Sequence, residues 1–396
     1  MAGTDRLKWL VVGMTAVMGF TFSAIGPAMP LLRADLAISR TIAGLHLTAL
    51  ASGGLVVGAV LDRITRRLGR KTVFWIASWT MVGGAAIMGL GRVPQVTVAG
   101  ALGAGWGGSA LIATTRNTLA DSDGASLARS MVQNDSSWSL RALLPGIVIA
   151  TMVAIGLGWR AAFFIPIGAV ALSSVLGRRL SFPVLSRDVD RSGPSIYVPR
   201  RFLLVWAAFI PAVAGEWSIS SWSAGYMVET QGADPGPAAL LVTGFFVAMF
   251  AGRAIGSRLT ARVAHQRLFT GAIATAVSGS LVLLFAGSVQ VAAIGLLVCG
   301  LGTSLLAPLL VAFAIEAMPS RPETATARIS MAASIGILIA PFILGLLADQ
   351  SGIRFAFGLI PALFGLSFTL AALSSRARPV RRAEGGSDRG GRLWES

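Results

Sequence analysis

Charge, cysteine, histidine and acidic side chains are all scarce in this sequence. Asp, Glu, Lys and Arg together make up 13 % of its 396 residues, against about 25 % in a typical soluble domain. A water-soluble body of this length could not cover its surface with so few charges, so lipid must be the solvent for much of it. The single cysteine, Cys299, excludes an intrachain disulfide and, set in an apolar run, reads as a small packing residue. Two histidines, His46 and His265, with that one cysteine offer no metal-ligand cluster. Neither a nucleophile elbow nor a phosphate-cradling loop is visible. No cofactor and no enzymatic activity are therefore expected, and without a nucleotide-binding domain the chain alone is not expected to drive transport with ATP.

What is present is apolar. Hydrophobic residues reach 54 % and the mean hydropathy is +0.74. The 47 glycines suit close helix contacts in a bilayer. The formal net charge of +16 would fit a nucleic-acid binder, but the Arg residues sit at the ends of apolar segments, so no nucleic-acid partner is expected.

A membrane-crossing helix needs roughly 20 mostly apolar residues. Twelve such runs are predicted: spans 1 to 6 near 9–32, 41–62, 72–91, 95–119, 126–156 and 159–178, and spans 7 to 12 near 202–228, 236–259, 267–288, 290–315, 324–349 and 353–375. The organisation expected is an N-terminal six-helix bundle (1–178), a cytoplasmic linker (179–200), a C-terminal six-helix bundle (201–375) and a disordered basic tail (376–396). With the N-terminus inside, 27 Lys and Arg fall on the inner side and 5 on the outer, with Arg141 inside a span. That bias predicts both termini and the linker in the cytoplasm.

The halves repeat. Gly103 and Gly105 recur as Gly300 and Gly302 at an offset of 197, and Pro145 recurs as Pro341 at 196. Arg160, Ala162 and Phe163 recur as Arg354, Ala356 and Phe357 at 194, and Gly58 and Leu61 recur as Gly256 and Leu259 at 198. Four groups in the same order predict an all-α integral membrane protein with twelve transmembrane helices in two pseudo-symmetric six-helix bundles, a design that places the substrate site between the halves.

Between spans 2 and 3 the chain reads GAVLDRITRRLGRK. This resembles the signature of the major facilitator superfamily, Gly-x-x-x-Asp-Arg-x-Gly-Arg-Lys/Arg. Gly58, Asp62 and Arg63 match, while Gly69, Arg70 and Lys71 arrive four residues late, with Thr65, Arg66 and Arg67 in the places expected. A degenerate second copy runs from Gly252 to Arg267. The resemblance covers almost the whole chain. It implies a multi-pass bacterial plasma-membrane carrier working as a monomer, for which Gly58, Asp62, Arg63, Arg66, Gly69 and Arg70 form a gating loop. In the family, the Asp62 carboxylate faces the start of span 11, near Glu323. There a helix N-terminus favours negative charge.

Ionisable groups within spans are costly and are functional candidates. Glu216 lies mid-span in PAVAGEWSISSWSAGY, among Trp217, Trp222 and Tyr226. The segment is similar to span 7 of sugar and fucose-permease-like members, with their Glu-x-x-x-x-x-Trp pattern in Glu216 and Trp222. Its carboxyl is a candidate to carry a proton or bind a cation. Asp135 and Arg141 are six residues apart in span 5, hence on different helix faces; Arg141 is a candidate for an anionic substrate or for pairing with Glu216. The expected partners are thus a small-molecule substrate, protons and the lipid bilayer. The function expected is alternating-access, proton-coupled transport by an antiporter exporting a drug-like or natural-product solute. The alternatives are a symporter importing a sugar or organic anion, or a non-transporting sensor on the same fold.

Overall fold

A computed structural model describes residues 2–123, 143–183 and 198–376. Among them every regular element is a helix. Eleven helices are long and apolar enough to cross a membrane, and a twelfth apolar helix, Leu144–Ala154, stands where span 5 is predicted.

Three spans are broken. Span 1 is Ala2–Ser23 followed by Ile25–Leu36. Span 10 is Val289–Thr303 followed by Leu306–Ala317. Span 12 begins with a single turn, Ile353–Phe357, before Leu359–Arg376. The others, span 5 apart, are continuous among the described residues. Arg40–Leu68, Arg70–Leu90 and Pro94–Asp123 form spans 2 to 4, and the 3₁₀ turn Trp159–Phe164 leads into span 6, Ile165–Gly177. Arg200–Gln231, Pro235–Leu259 and His265–Leu284 form spans 7 to 9, and Pro322–Ser351 forms span 11. Large apolar side chains such as Leu157, Leu172, Leu176, Phe285 and Phe355 stand exposed around the outside, an arrangement that requires hydrocarbon around them.

The two halves pack alike. Span 3 lies on 4 as 9 lies on 10, span 4 on 2 as 10 on 8, and span 1 on 6 as 7 on 12. Across the halves, span 2 lies along span 11 and span 8 along span 5, while spans 1 and 7 meet near the middle. The close contacts fix the register of the repeat. A Cβ on Gly105 would sit 2.0 Å from Leu50 O, and one on Gly300 would sit 2.3 Å from Phe245 O. Likewise Gly107 abuts Met81 and Gly302 abuts Ala276, Gly84 abuts Gly100, and Gly279 approaches Cys299 as its neighbour Gly295 approaches Leu283. Gly105 and Gly300, Gly107 and Gly302, Leu50 and Phe245, and Met81 and Ala276 are each 195 apart. The offset of 197 that pairs Gly103 with Gly300 is therefore two residues out. Sequence identity alone matched glycines that look alike; backbone contact identifies those that do the same work.

The turn motif shared by spans 6 and 12 is aligned as the sequence predicts. Gly158 (φ 75°, ψ 159°) and Gly352 (φ 86°, ψ 151°) occupy the same glycine-only backbone region before it. Ala162 and Ala356 are both fully buried, as are Phe163 and Phe357. Arg160 follows Gly158 and donates to Gly89 O at 3.0 Å, to Gly91 O at 2.6 Å and to Asp35 at 2.9 Å. It thereby places a cation on the last carbonyls of span 3, where the helix dipole favours one.

Gly105 and Gly103 provide an internal control. Gly105→Ala forces its methyl against backbone that cannot yield, and overpacking of this kind costs about 1–3 kcal/mol. At Gly103 the nearest atom is 3.5 Å away, so Gly103→Ala is expected to leave stability unchanged. Thermal unfolding of the two variants in one detergent checks this; equal melting temperatures would refute the packing assignment.

Candidate functional site

Glu216 lies halfway along span 7, half-buried. It lines a cavity with Trp217, Ser220 and Ser221 of the same span, Phe22, Ser23 and Gly26 around the break in span 1, and Phe246 of span 8. The break gives the close approach: a Cβ on Gly26 would lie 2.4 Å from Ser220 O. The cavity holds about 20 Å³, enough for about one water. In this state the halves are closed down on the carboxyl. A larger cavity of about 390 Å³, lined by Arg201, His265, Phe313 and Glu316, lies where spans 7 and 9 begin and span 10 ends. It sits within that half alone and is crossed by the Glu316 ion pair to Arg201 (3.3 Å) and by the contact of Glu316 with His265 Nδ1 (3.4 Å).

The structure divides the candidates named from sequence. Glu216 and Trp217 face the cavity. Trp222 and Tyr226 do not: both are fully buried inside the second half. The Trp222 indole donates to Pro341 O at 3.1 Å, and Tyr226 donates to Leu284 O at 2.8 Å while stacking on Phe357. Their place is set by helix periodicity. Glu216, Trp217, Ser220 and Ser221 span a helix arc of about 140° toward the cavity, and six and ten residues after Glu216 the helix has turned by about 240° and 280°, outside that arc. Asp135 and Arg141 lie outside the described residues.

Arg253 went unnoticed in the sequence. Positive-inside reasoning assigns it to the inner loop, yet it lies in span 8, six residues from that helix's end, or about 9 Å along the axis. Its guanidinium Nε donates to Ser304 O at the break in span 10 (3.4 Å). Its place one residue into the degenerate loop copy, beside Gly252, was the only signal.

In the loop between spans 2 and 3, span 2 runs on to Leu68, so the four residues that delay Gly69-Arg70-Lys71 amount to about one extra helical turn. Gly69 (φ 82°) begins span 3. Arg63 and Arg66 are exposed, Asp62 is half-buried and Arg70 is buried. The loop therefore keeps its parts but splits them between a solvated helix end and a packed one.

The far ends of the spans carry a charge cluster that sequence reading did not identify. Glu229, in the last turn of span 7, pairs with Arg33 of span 1 and Arg40 of span 2. Arg40 also reaches Asp349 of span 11 at 3.3 Å. Asp349 accepts the backbone N–H of Arg40 at 3.0 Å and that of Thr41 at 2.7 Å, together with the Thr41 hydroxyl at 2.7 Å. The first turn of a helix has N–H groups with no partner inside it. Ser39 fills one, accepting from Ile42 N at 3.2 Å, and a carboxylate from the opposite half fills two more. Deeper in, Thr48 donates to Leu338 O at 2.8 Å, and Gly44 lets span 2 touch Pro341 and Phe342. Arg33 and Arg40 are two of the five charges that the loop count places on the outer side. Their sign is opposite to that of Glu229 and Asp349, which close the other two helix ends, and this was the readable hint.

Two six-helix halves meeting over one carboxyl, and clamped at one face by ions from both halves, define a membrane carrier whose halves must separate to give access. The sequence profile of the Major Facilitator Superfamily matches residues 11–214 and again 205–396, and the chain belongs to that superfamily. An MFS-type efflux pump of Mycolicibacterium smegmatis is 28 % identical over 381 residues, covering 87 % of this chain and 85 % of the pump. A bacterial homologue of the human lysosomal transporter Spinster, in an inward-facing and occupied conformation, superposes with a TM-score of 0.76 at 13 % identity, covering 96 % of this chain and 98 % of the other. The superfamily transporter FucP in its outward conformation superposes at 0.63 with 18 % identity, covering 93 % and 98 %.

Charge-assisted hydrogen bonds contribute roughly 1.5–3 kcal/mol each, so Glu229→Gln should move the closed-to-open ratio of the far face by roughly ten- to a hundredfold. Spin labels at Ala34→Cys and Asp234→Cys would report this as a new, longer distance population. An unchanged distance distribution would show that the cluster does not hold the face shut.

Proposed function

We propose that this protein is a proton-coupled exporter that carries a drug-like or natural-product solute out of the cytoplasm, with Glu216 as the group shared between proton and solute. The carrying observation is the placement of Glu216: a carboxyl among two Phe, one Trp and three Ser at the meeting point of both halves, beneath a face sealed by Arg33, Arg40, Glu229 and Asp349. A carboxyl so placed is neutral when protonated and must find a cationic partner or water when it is not. Loading and unloading a proton therefore changes which arrangement of the halves it tolerates. Aromatic walls with few amide groups favour an apolar, ring-bearing solute over a sugar. The 28 % identity to an efflux pump supports export.

On this reading the sealed face is the outer one and both termini are cytoplasmic, as the charge bias of the loops favours. Spans 2 and 11 are antiparallel, and each has an aspartate toward its C-terminal end. Asp349 caps the start of span 2. By the family resemblance, Asp62 serves the start of span 11 at the other face. Opening outward would exchange one cap for the other, so that each state keeps one of the two.

Purified protein in proteoliposomes, challenged with a panel of cationic drugs, organic anions and sugars, tests this. Ligand-dependent proton movement opposite to the ligand, lost in Glu216→Gln, is the expected result. Flux in the same direction as the ligand would overturn export, and full flux in the variant would remove Glu216 from the mechanism.

A further inference from the structure

His46 is fully buried in span 2, and nothing above gives it a task. Its Nδ1 lies 3.0 Å from Ile42 O and its Nε2 lies 2.8 Å from the hydroxyl of Thr97 in the first turn of span 4. That hydroxyl in turn lies 3.0 Å from Pro94 O. A carbonyl only accepts, so Nδ1 carries a hydrogen in every state. The neutral ring then has Nε2 bare, and Thr97 donates to it. If Nε2 takes a proton, it donates to Thr97 Oγ1, and the hydroxyl hydrogen turns to Pro94 O. Both protonation states leave each ring nitrogen and the hydroxyl hydrogen with a partner, with one hydroxyl rotation between them. A buried histidine held merely as a packing group needs only one of these arrangements.

We propose that His46, Thr97 and Pro94 form a second proton-binding site, separate from Glu216 and coupled to the state of the far face. Gly44 and Thr48 put one side of span 2 against span 11. His46 lies about 200° round the helix from each, facing span 4. It therefore stays with its own half when the halves part. Arg40 is six residues away on the same helix, about 9 Å along the axis.

The charged groups at this end are Arg33 and Asp35 on span 1, Arg40 on span 2, Arg92 after span 3, Arg160 before span 6, Glu229 on span 7, Asp234 before span 8, Asp349 on span 11 and Arg354 at the start of span 12. Span 4 brings no charge in the turn that bears Thr97. With the face closed, Glu229 and Asp349 offset Arg33 and Arg40. Once it opens, those two carboxylates leave with the other half and the two guanidiniums remain near His46. The proton is then held more tightly in the closed state, and by reciprocity acid favours closure. Opening would discharge it.

The chain has two histidines, so in His265→Asn protein the ¹⁵N-histidine spectrum in bilayers reports His46 alone, whether or not any solute is carried. Between pH 8.5 and 5 we expect one bare and one protonated nitrogen to give way to two protonated ones. Adding Glu229→Gln should lower the midpoint by at least about half a unit, a threefold weaker hold on the proton. Thr97→Val should lower it too, by removing the acceptor. A ring that stays neutral throughout would overturn the proton site, and a midpoint unmoved by Glu229→Gln would overturn its coupling to the far face. Loss of Glu216 function would alter neither reading.

Discussion

Glu229 and Asp349 belong to the second half, yet their partners, Arg33, Arg40 and Thr41, belong to the first. Ion pairs at a surface usually contribute little. These have side chains only about a fifth to a quarter exposed, and they also supply a helix start with the acceptors it lacks. Removing either carboxylate would leave guanidiniums and N–H groups partly desolvated and unpaired, which costs more than the pair itself contributes. The cluster sets the angle between the halves. That angle brings the broken span 1 against span 7 and closes the cavity on Glu216.

Rigid halves are needed if a change at one face is to be felt at the other. Glycine supplies that rigidity. At Gly84, Gly100, Gly105 and Gly107, and again at Gly279, Gly295, Gly300 and Gly302, helices touch backbone to backbone. Without a hydrophobic force between helices in lipid, such close packing is the main source of cohesion. The interface between halves also has close glycine contacts, at Gly26, Gly44, Gly146 and Gly345, but there ions and side-chain hydrogen bonds that water can replace stand beside them. That exchangeable part is what lets the halves separate, as alternating access requires.

Much of this was legible in the sequence. Twelve apolar runs, the paired WRAAFFIP and IRFAFGLIP segments and the GAVLDRITRRLGRK loop were enough for the fold. The structure moved helix ends by a few residues and the glycine register by two. Glu216 was legible because a charge in an apolar run stands out. Arg253, Arg33, Arg40, Glu229 and Asp349 were not, because charges near span ends are what topology alone produces. Only proximity across 189 residues from Arg40 to Glu229, or 309 from Arg40 to Asp349, gives them meaning. Trp222 and Tyr226 were misplaced for the converse reason: closeness in sequence to Glu216 was taken for closeness in space, and the helix turns them into the bundle.

The central claim is that the two faces are alternatives, with the far cluster holding one of them shut. Its most direct test measures both faces in matched preparations, with spin labels at Ala34→Cys and Asp234→Cys on the far face and, in a sister sample, at Leu68→Cys and Ser320→Cys on the other. When Glu229→Gln releases the cluster, the account predicts that the far pair moves apart while the other pair draws together, in equal fractions of molecules. If the far pair separates while the other stays fixed, the halves do not rock as rigid bodies and the account is contradicted.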